Sequence, residues 1–219
     1  MIELKNISKT YKGKFYEVHA LKNINLKIDK GEFVAVMGSS GSGKTTLLNM
    51  IGLIDKWDEG EVYIDGKKVE KKNIQEYRKK YITFVFQHFA LIETDTVYEN
   101  IALPMLARKV PKGKRKETIK TLLSELGINE LSRQLPTKIS GGQKQRVAIA
   151  RALASDTEII LADEPTGALD KENTEDIIKI LRKLAAKGKT IILVTHDIHV
   201  AECADRIIQI ENGEIVINP

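Results

Sequence analysis

The eight residues Gly38-Ser39-Ser40-Gly41-Ser42-Gly43-Lys44-Thr45 have the types and spacing of a phosphate cradle, matching G-x-x-x-x-G-K-[ST] at every fixed position. Glycines let the backbone turn tightly around an anion and aim its N–H groups inward. Lys44 then reaches the outer phosphates of a nucleoside triphosphate, and the Thr45 hydroxyl is placed to ligate magnesium. The flanks suit the task. The apolar run Phe33–Met37 reads as a buried strand, and the stretch opening with Thr45 and Thr46 and running to Ile51 reads as the start of a helix. A helix N-terminus adds partial positive charge to the cradle. A Gly/Ser-rich turn that ends in Lys-Thr by coincidence would not need this strand-loop-helix setting. The segment reads as a nucleoside triphosphate site.

Two later apolar runs also end abruptly in polar groups. Ile159–Ala162 runs into Asp163-Glu164, and Ile191–Val194 runs into Thr195-His196-Asp197. Continuous apolar runs are expected of parallel strands buried on both faces. In open parallel sheets ligands bind beyond the carboxyl ends of the strands. Three strands therefore deliver chemistry to one edge of one sheet. Asp163 is placed to hold magnesium, directly or through water. Glu164 is expected to point to the opposite side of the strand, with Pro165 forcing the chain out of it. His196, at a strand's carboxyl end, reads as functional, whereas His19, His88 and His199 read as incidental.

Ser140-Gly141-Gly142-Gln143 opens a helix with Val147, Ala150, Leu153 and Ala154 as its apolar stripe and Arg146 and Arg151 outside it. A serine and two glycines there offer free N–H groups, a hydroxyl and the helix dipole, hence a second anion site. An ordinary N-cap accounts for the same residues equally well.

The elements that must hold these groups come from 219 residues, enough for one sizeable core or a core with a smaller subdomain. The first thirty residues alternate through Ile2, Leu4, Ile7, Val18, Leu21, Ile24, Leu26 and Ile28, which predicts a half-exposed antiparallel sheet. From about Val97 to Leu135 the period turns helical, with Tyr98, Ile101, Leu106, Thr118, Leu122, Leu123 and Leu126 recurring. Pro104, Pro111 and Gly113 are expected to break that region and Pro136 to close it. The reading is a single α/β domain over residues 1–219. It has a mainly parallel P-loop core, an N-terminal antiparallel β subdomain and a helical subdomain inserted at about 88–140. A last strand is expected at Glu214–Ile217, leaving nothing for a regulatory domain.

Composition narrows the classes. The net charge of +5 gathers in Lys67–Lys80 and Arg108–Lys116, which read as solvated faces. An anionic membrane surface is the functional alternative; nucleic acid ranks below it because neither run interleaves stacking aromatics. Cys203 is the only cysteine, so no intrachain disulfide forms, which suits a reducing compartment; its apolar neighbours place it in the core. No secretory h-region opens the chain and no apolar run is long enough to span a bilayer. A transport role would need another chain for the membrane path.

Ile139-Ser140-Gly141-Gly142-Gln143-Lys144-Gln145-Arg146 resembles the signature motif of ABC-type ATPases, and the glycine loop, signature, Asp163-Glu164 and Thr195-His196-Asp197 follow that family's order. The resemblance covers essentially the whole chain. Ile139 stands where Leu is usual and Lys144 where Gln is common; neither change removes a group that touches phosphate. The resemblance implies ATP and Mg2+, and a head-to-tail dimer with each ATP between one chain's glycine loop and the other's signature. It implies that Glu164 polarises the attacking water as general base and that His196 contacts the γ-phosphate. Gln87, after the run Ile82–Phe86, matches the glutamine that joins the magnesium shell while the following loop senses the membrane partner. Asp170 matches a loop that communicates between the two sites, and equally suits the N-cap of Lys171–Ala186. Tyr11 stands where the family sets an aromatic ring against adenine, with surface packing as the alternative.

The implied partner is a transmembrane permease docked near Gln87–Met105, at the cytoplasmic face of a membrane, with no nucleic acid. Thr166–Asp170 and Phe84–Phe89 look like the group that serves lipoprotein release, macrolide efflux and antimicrobial-peptide resistance, which includes a cell-division ATPase that moves no substrate. DNA-repair relatives carry a very long heptad insertion, translation-associated ones two ATPase domains, and sugar importers a C-terminal regulatory domain. None of these matches this chain, and a small-molecule kinase would have no use for Ser140–Gln143.

Overall fold

The computed structural model describes residues 1–216, so Ile217 of the expected last strand lies outside the described residues. β1 (Ile2–Lys12) and β2 (Glu17–Ile28) pair antiparallel, with Ile2 opposite Ile28 and Leu4 opposite Leu26. Their alternation sends Ile2, Leu4, Ile7, Leu21, Ile24 and Ile28 into the core, while Val18 stays half exposed near the hairpin tip. After β3 (Phe33–Met37) and α1 (Lys44–Ile51), β4 (Glu59–Ile64) returns to pair with β1, and β5 (Lys67–Lys68) follows. Among the described residues this sheet has the order β2-β1-β4-β5.

The basic run expected to be a solvated face contains α2 (Ile74–Tyr81), held down by one buried side chain, Ile74. The chain continues as β6 (Ile82–Phe86), α3 (Val97–Ala107), α4 (Lys112–Glu125) and α5 (Gly141–Ala154). It closes with β7 (Ile159–Asp163), α6 (Lys171–Ala186), β8 (Thr190–Val194), α7 (Ile198–Ala201), β9 (Arg206–Glu211) and β10 (Glu214–Val216). The second sheet runs β10-β9-β3-β8-β7-β6 and is parallel apart from β10.

This sheet is buried on both faces, which is why its central strands read as unbroken apolar runs. Val34, Val36, Leu161, Ile192 and Val194 pack with α1 and the antiparallel sheet; Phe33, Ile160, Ala162, Ile191 and Leu193 pack with the helices. Phe86, Asp163, Val194 and Val36 stand side by side in register. The residues after them therefore leave the sheet along one edge.

Pro104 does not break the helical region: α3 runs through it. An interior proline costs about 3 kcal/mol, but Val97, Ile101, Ala102 and Met105 are buried, and each large apolar side chain so placed contributes about 1.5–3 kcal/mol. The buried stripe is thus one position out of phase with Tyr98 and Leu106, and Leu106 faces solvent. Pro111 does stand at a break, in the gap between α3 and α4 as the cap residue of α4, whereas Gly113 sits in the first turn of α4 and does not interrupt it. α5 is buried round most of its circumference because it lies between β6 and three helices. Gln145 is buried there while Leu153, expected in the stripe, is only half-buried. Cys203 is likewise only partly buried, with its Sγ donating to the His199 carbonyl at 3.3 Å.

Candidate active site

The glycine loop joins β3 to α1, which begins at Lys44 rather than Thr45. Gly43 caps α1 with φ 108° and no side-chain cap bond, so the first helical N–H groups are left for a ligand. A Cβ on Gly43 would stand 2.6 Å from the Ala20 carbonyl oxygen, and one on Gly38 would collide with the carbonyl of Ile210. The loop is therefore pinched between β2 and β9. The β9–β10 turn braces it from behind: the Gly213 N–H donates to the Ser42 carbonyl at 2.9 Å, and the Lys22 N–H donates to the Gly213 carbonyl at 2.8 Å.

Lys44 Nζ donates to the carbonyls of Gly38 (2.9 Å) and Ser39 (2.8 Å), which holds its ammonium over the loop. The Ser42 hydroxyl is buried without a hydrogen-bond partner among the described residues. An uncapped helix start, a poised cation and an orphaned hydroxyl fit a phosphate chain. A cleft of about 450 Å³ opens beside them, bordered by Tyr11, His19, Lys22, Lys44, Thr45 and Asn212.

Tyr11 is held by chemistry the sequence did not reveal. Its hydroxyl donates to Asp55 at 2.9 Å, and burial, reinforced by Asp55, raises its pKa. Lys9 is buried, pairs with Asp55 (3.4 Å) and Asp58 (3.7 Å), and sets its ammonium 5.1 Å from the Tyr11 ring centroid. The ring is fixed at the rim of the cleft. His19, expected to be incidental, also borders it, with Nδ1 3.1 Å from the Thr10 hydroxyl.

At the sheet edge β7 ends with Asp163 half-buried. Burial raises its pKa, the Glu164 charge raises it further, and Lys44 opposes them. Glu164 does not simply alternate to the other side of the strand. It lies past the end of β7 in a left-handed conformation (φ 47°), with its N–H donating to the Val194 carbonyl at 3.0 Å. Its Oε2 stands 2.7 Å from His196 Nδ1, and Glu164 is 22% exposed against 70% for His196. A Cβ placed on Gly167 would meet Gln87 Nε2 at 2.8 Å and Glu164 Oε2 at 3.2 Å. Gln87, Glu164 and His196 thus gather on one rim of the sheet.

No three His, Cys, Asp or Glu side chains come together to enclose a metal among the described residues. A single carboxylate such as Asp163 would suit magnesium, which keeps waters and substrate phosphates as its other ligands.

Ser140 is the N-cap of α5. It accepts from the Gln143 N–H at 3.3 Å, and Gln143 Oε1 accepts from the Ser140 N–H at 2.9 Å, a complete capping box. The N-cap role is thus present, and the serine remains exposed. α5 packs on α3, α4, α6 and β6, whereas α1 packs on β2, β7 and β8. Ser140 does not border the glycine-loop cleft. Asp170 caps α6 by accepting from the Asn173 N–H at 2.9 Å. Beyond Gln87, Phe89 and Ala90 are both left-handed, and the Arg151 guanidinium donates to their carbonyls at 2.9 and 2.6 Å.

Residues 21–167 match the ABC transporter family. The ABC transporter ATP-binding protein MJ0796 of Methanocaldococcus jannaschii is 49% identical over 98% of this chain and 95% of its own length. A dimeric post-hydrolysis structure of that cassette, bound to ADP and Pi, superposes with a TM-score of 0.90 at 45% identity, covering 99% of this chain and 97% of that one. The macrolide export ATP-binding/permease protein MacB of Aggregatibacter actinomycetemcomitans is 47% identical over 99% of this chain, which spans 34% of that longer protein. The bacitracin export ATP-binding protein BceA of Halalkalibacterium halodurans is 44% identical over 98% of this chain and 87% of its own length.

Proposed function

Because this chain belongs to the ABC transporter family and is an ATP-hydrolysing cassette, we propose that it powers an export-type permease carried on a separate polypeptide. The observation that carries this reading is the division of the two anion sites. The glycine loop and the Ser140 cap are built on helices that face different neighbours, so a second copy is needed to bring a signature over each nucleotide. Two chains set head to tail close over two ATP molecules, and hydrolysis releases them. The named export relatives, for macrolides and bacitracin, support amphiphilic small molecules or peptides as the substrate class. Attachment to the permease near Gln87–Met105 would hold the chain peripherally at the cytoplasmic face of a membrane.

In the assigned mechanism the glycine loop and Lys44 hold the phosphates, Ser39 and Ser40 shape the loop, and Tyr11 stacks on the base. Thr45, Asp163 and Gln87 would hold magnesium, which would neutralise negative charge on the nucleotide. Glu164 takes the proton of the attacking water, and His196, bonded to it, fixes the carboxylate's orientation.

Tagged protein drawn from native membranes in detergent is expected to bring down a permease with few transmembrane helices and a large external domain. Reconstituting the two in nanodiscs is then expected to raise ATP turnover. Recovery with nucleic acid or ribosomes, or turnover indifferent to the permease, would overturn the proposal.

The raised pKa of Asp163 has a direct consequence. Its protonated form is favoured, so protons compete for this metal ligand at higher pH than at an ordinary aspartate. Magnesium-dependent nucleotide affinity should therefore begin to fall, on acidification, at a higher pH than an unperturbed aspartate would give. Fluorescence titrations across pH test this, and the same acid limb in Asp163→Asn would exclude Asp163 as its origin.

A further inference from the structure

We propose that Gln145 is a positioning residue for Glu164, fastening the signature helix to the loop that carries the catalytic carboxylate; the proposal rests on Glu164 acting as general base. Gln145 lies in the second turn of α5 and is fully buried. Its Nε2 donates to the Pro165 carbonyl at 2.7 Å, across a contact buried on both sides. Its Oε1 is buried and has no hydrogen-bond partner among the described residues.

That asymmetry is informative. A buried acceptor left unpaired opposes folding, and a methionine of the same length would fill the space without one. Stability alone would not select this amide. Turning it over would set its oxygen against the Pro165 carbonyl. What the amide supplies is one N–H, delivered to the residue directly after Glu164.

Glu164 needs such support. A non-glycine residue in the left-handed region persists only where its surroundings hold it there. Its own N–H is anchored to β8 through Val194, and the carbonyl that follows is anchored to α5 through Gln145. A second tie runs in parallel. A Cβ on Gly142 would run into the Asn173 amide, and Asn173 Nδ2 donates to both Asp170 oxygens at 3.0 and 2.9 Å. The N-terminal turns of α5 are thereby joined to both ends of the segment 164–170. In the head-to-tail dimer that end of α5 faces the partner's nucleotide, so engagement of one site sets the placement of the base in the other.

Gln145→Met tests this. The expected result is a fall in kcat of about 10-fold to 100-fold, the scale for a misplaced catalytic group. KM for ATP should stay within about twofold, and Tm should be unchanged or higher. Hydrogen exchange at the Gly167 amide, which now donates to the Glu164 carbonyl at 3.0 Å, should quicken. Gln145→Met placed on a Glu164→Gln background should still dimerise with ATP. Gln145→Asn, whose amide is too short to reach Pro165, should lose kcat as Gln145→Met does. Normal kcat in Gln145→Met, or a joint decline of Tm, ATP affinity and kcat, would overturn the proposal. Normal turnover in Glu164→Gln alone would instead overturn the assignment of the base.

Discussion

Glu164→Gln should bind ATP with undiminished affinity and turn it over about 10²–10⁴-fold more slowly, the usual cost of losing a positioned base. The amide has nearly the shape of the carboxylate and can keep the 2.7 Å contact with His196, but it cannot take the proton of water. Affinity should hold, because the substitution removes a negative charge from a rim that receives phosphates. It also removes the second cause of the raised Asp163 pKa, so protons compete for that carboxylate only at lower pH. With hydrolysis blocked and binding intact, the ATP that bridges two chains remains in place. Gel filtration with ATP should show a shift from monomer to dimer. Normal turnover would overturn the general-base role, and an unchanged elution volume would count against the sandwich.

The parts of this site that could be read from the chain are those whose chemistry is local. The glycine loop carries its own strand and helix as flanks. The runs Phe33–Met37, Ile159–Ala162 and Ile191–Val194 are continuously apolar because both faces of β3, β7 and β8 are covered. What stayed hidden depends on residues far apart in sequence. Nothing in the sequence singles out Lys9, yet Asp55, Asp58 and the Lys56 carbonyl draw it inward against Tyr11. Nothing local to Gly213 links it to the glycine loop, but its N–H reaches the Ser42 carbonyl across most of the chain. Gln145 sat among polar letters, and only the packing of three helices and a strand around α5 buries it. Glu164 misled in a different way. Strand alternation gives no warning that β7 ends one residue earlier, because the left-handed turn is imposed by β8 and α5 rather than by the glutamate itself.

Lys44→Met should weaken ATP binding by about 10-fold to 100-fold, since a hydrogen bond to a charged group is worth about 1.5–3 kcal/mol and each 1.4 kcal/mol is tenfold. Turnover at saturating ATP should fall further, by about 10²–10³-fold, because charge grows on the transferring phosphoryl oxygens as the reaction proceeds. The lysine now spends its donors on the Gly38 and Ser39 carbonyls, so it is already held where the outer phosphates would lie. Lys44→Arg should not restore activity. Its bulkier planar fork presents donors at fixed angles, whereas the compact ammonium can donate to both loop carbonyls and still turn a donor toward a phosphate. The methionine also removes the one influence that lowers the Asp163 pKa, leaving burial and Glu164 to raise it unopposed. Its residual magnesium dependence should therefore fail at a higher pH than in the parent chain. Wild-type ATP affinity in Lys44→Met would mean that the loop backbone alone holds the phosphates. An unmoved acid limb would separate Lys44 from the metal site.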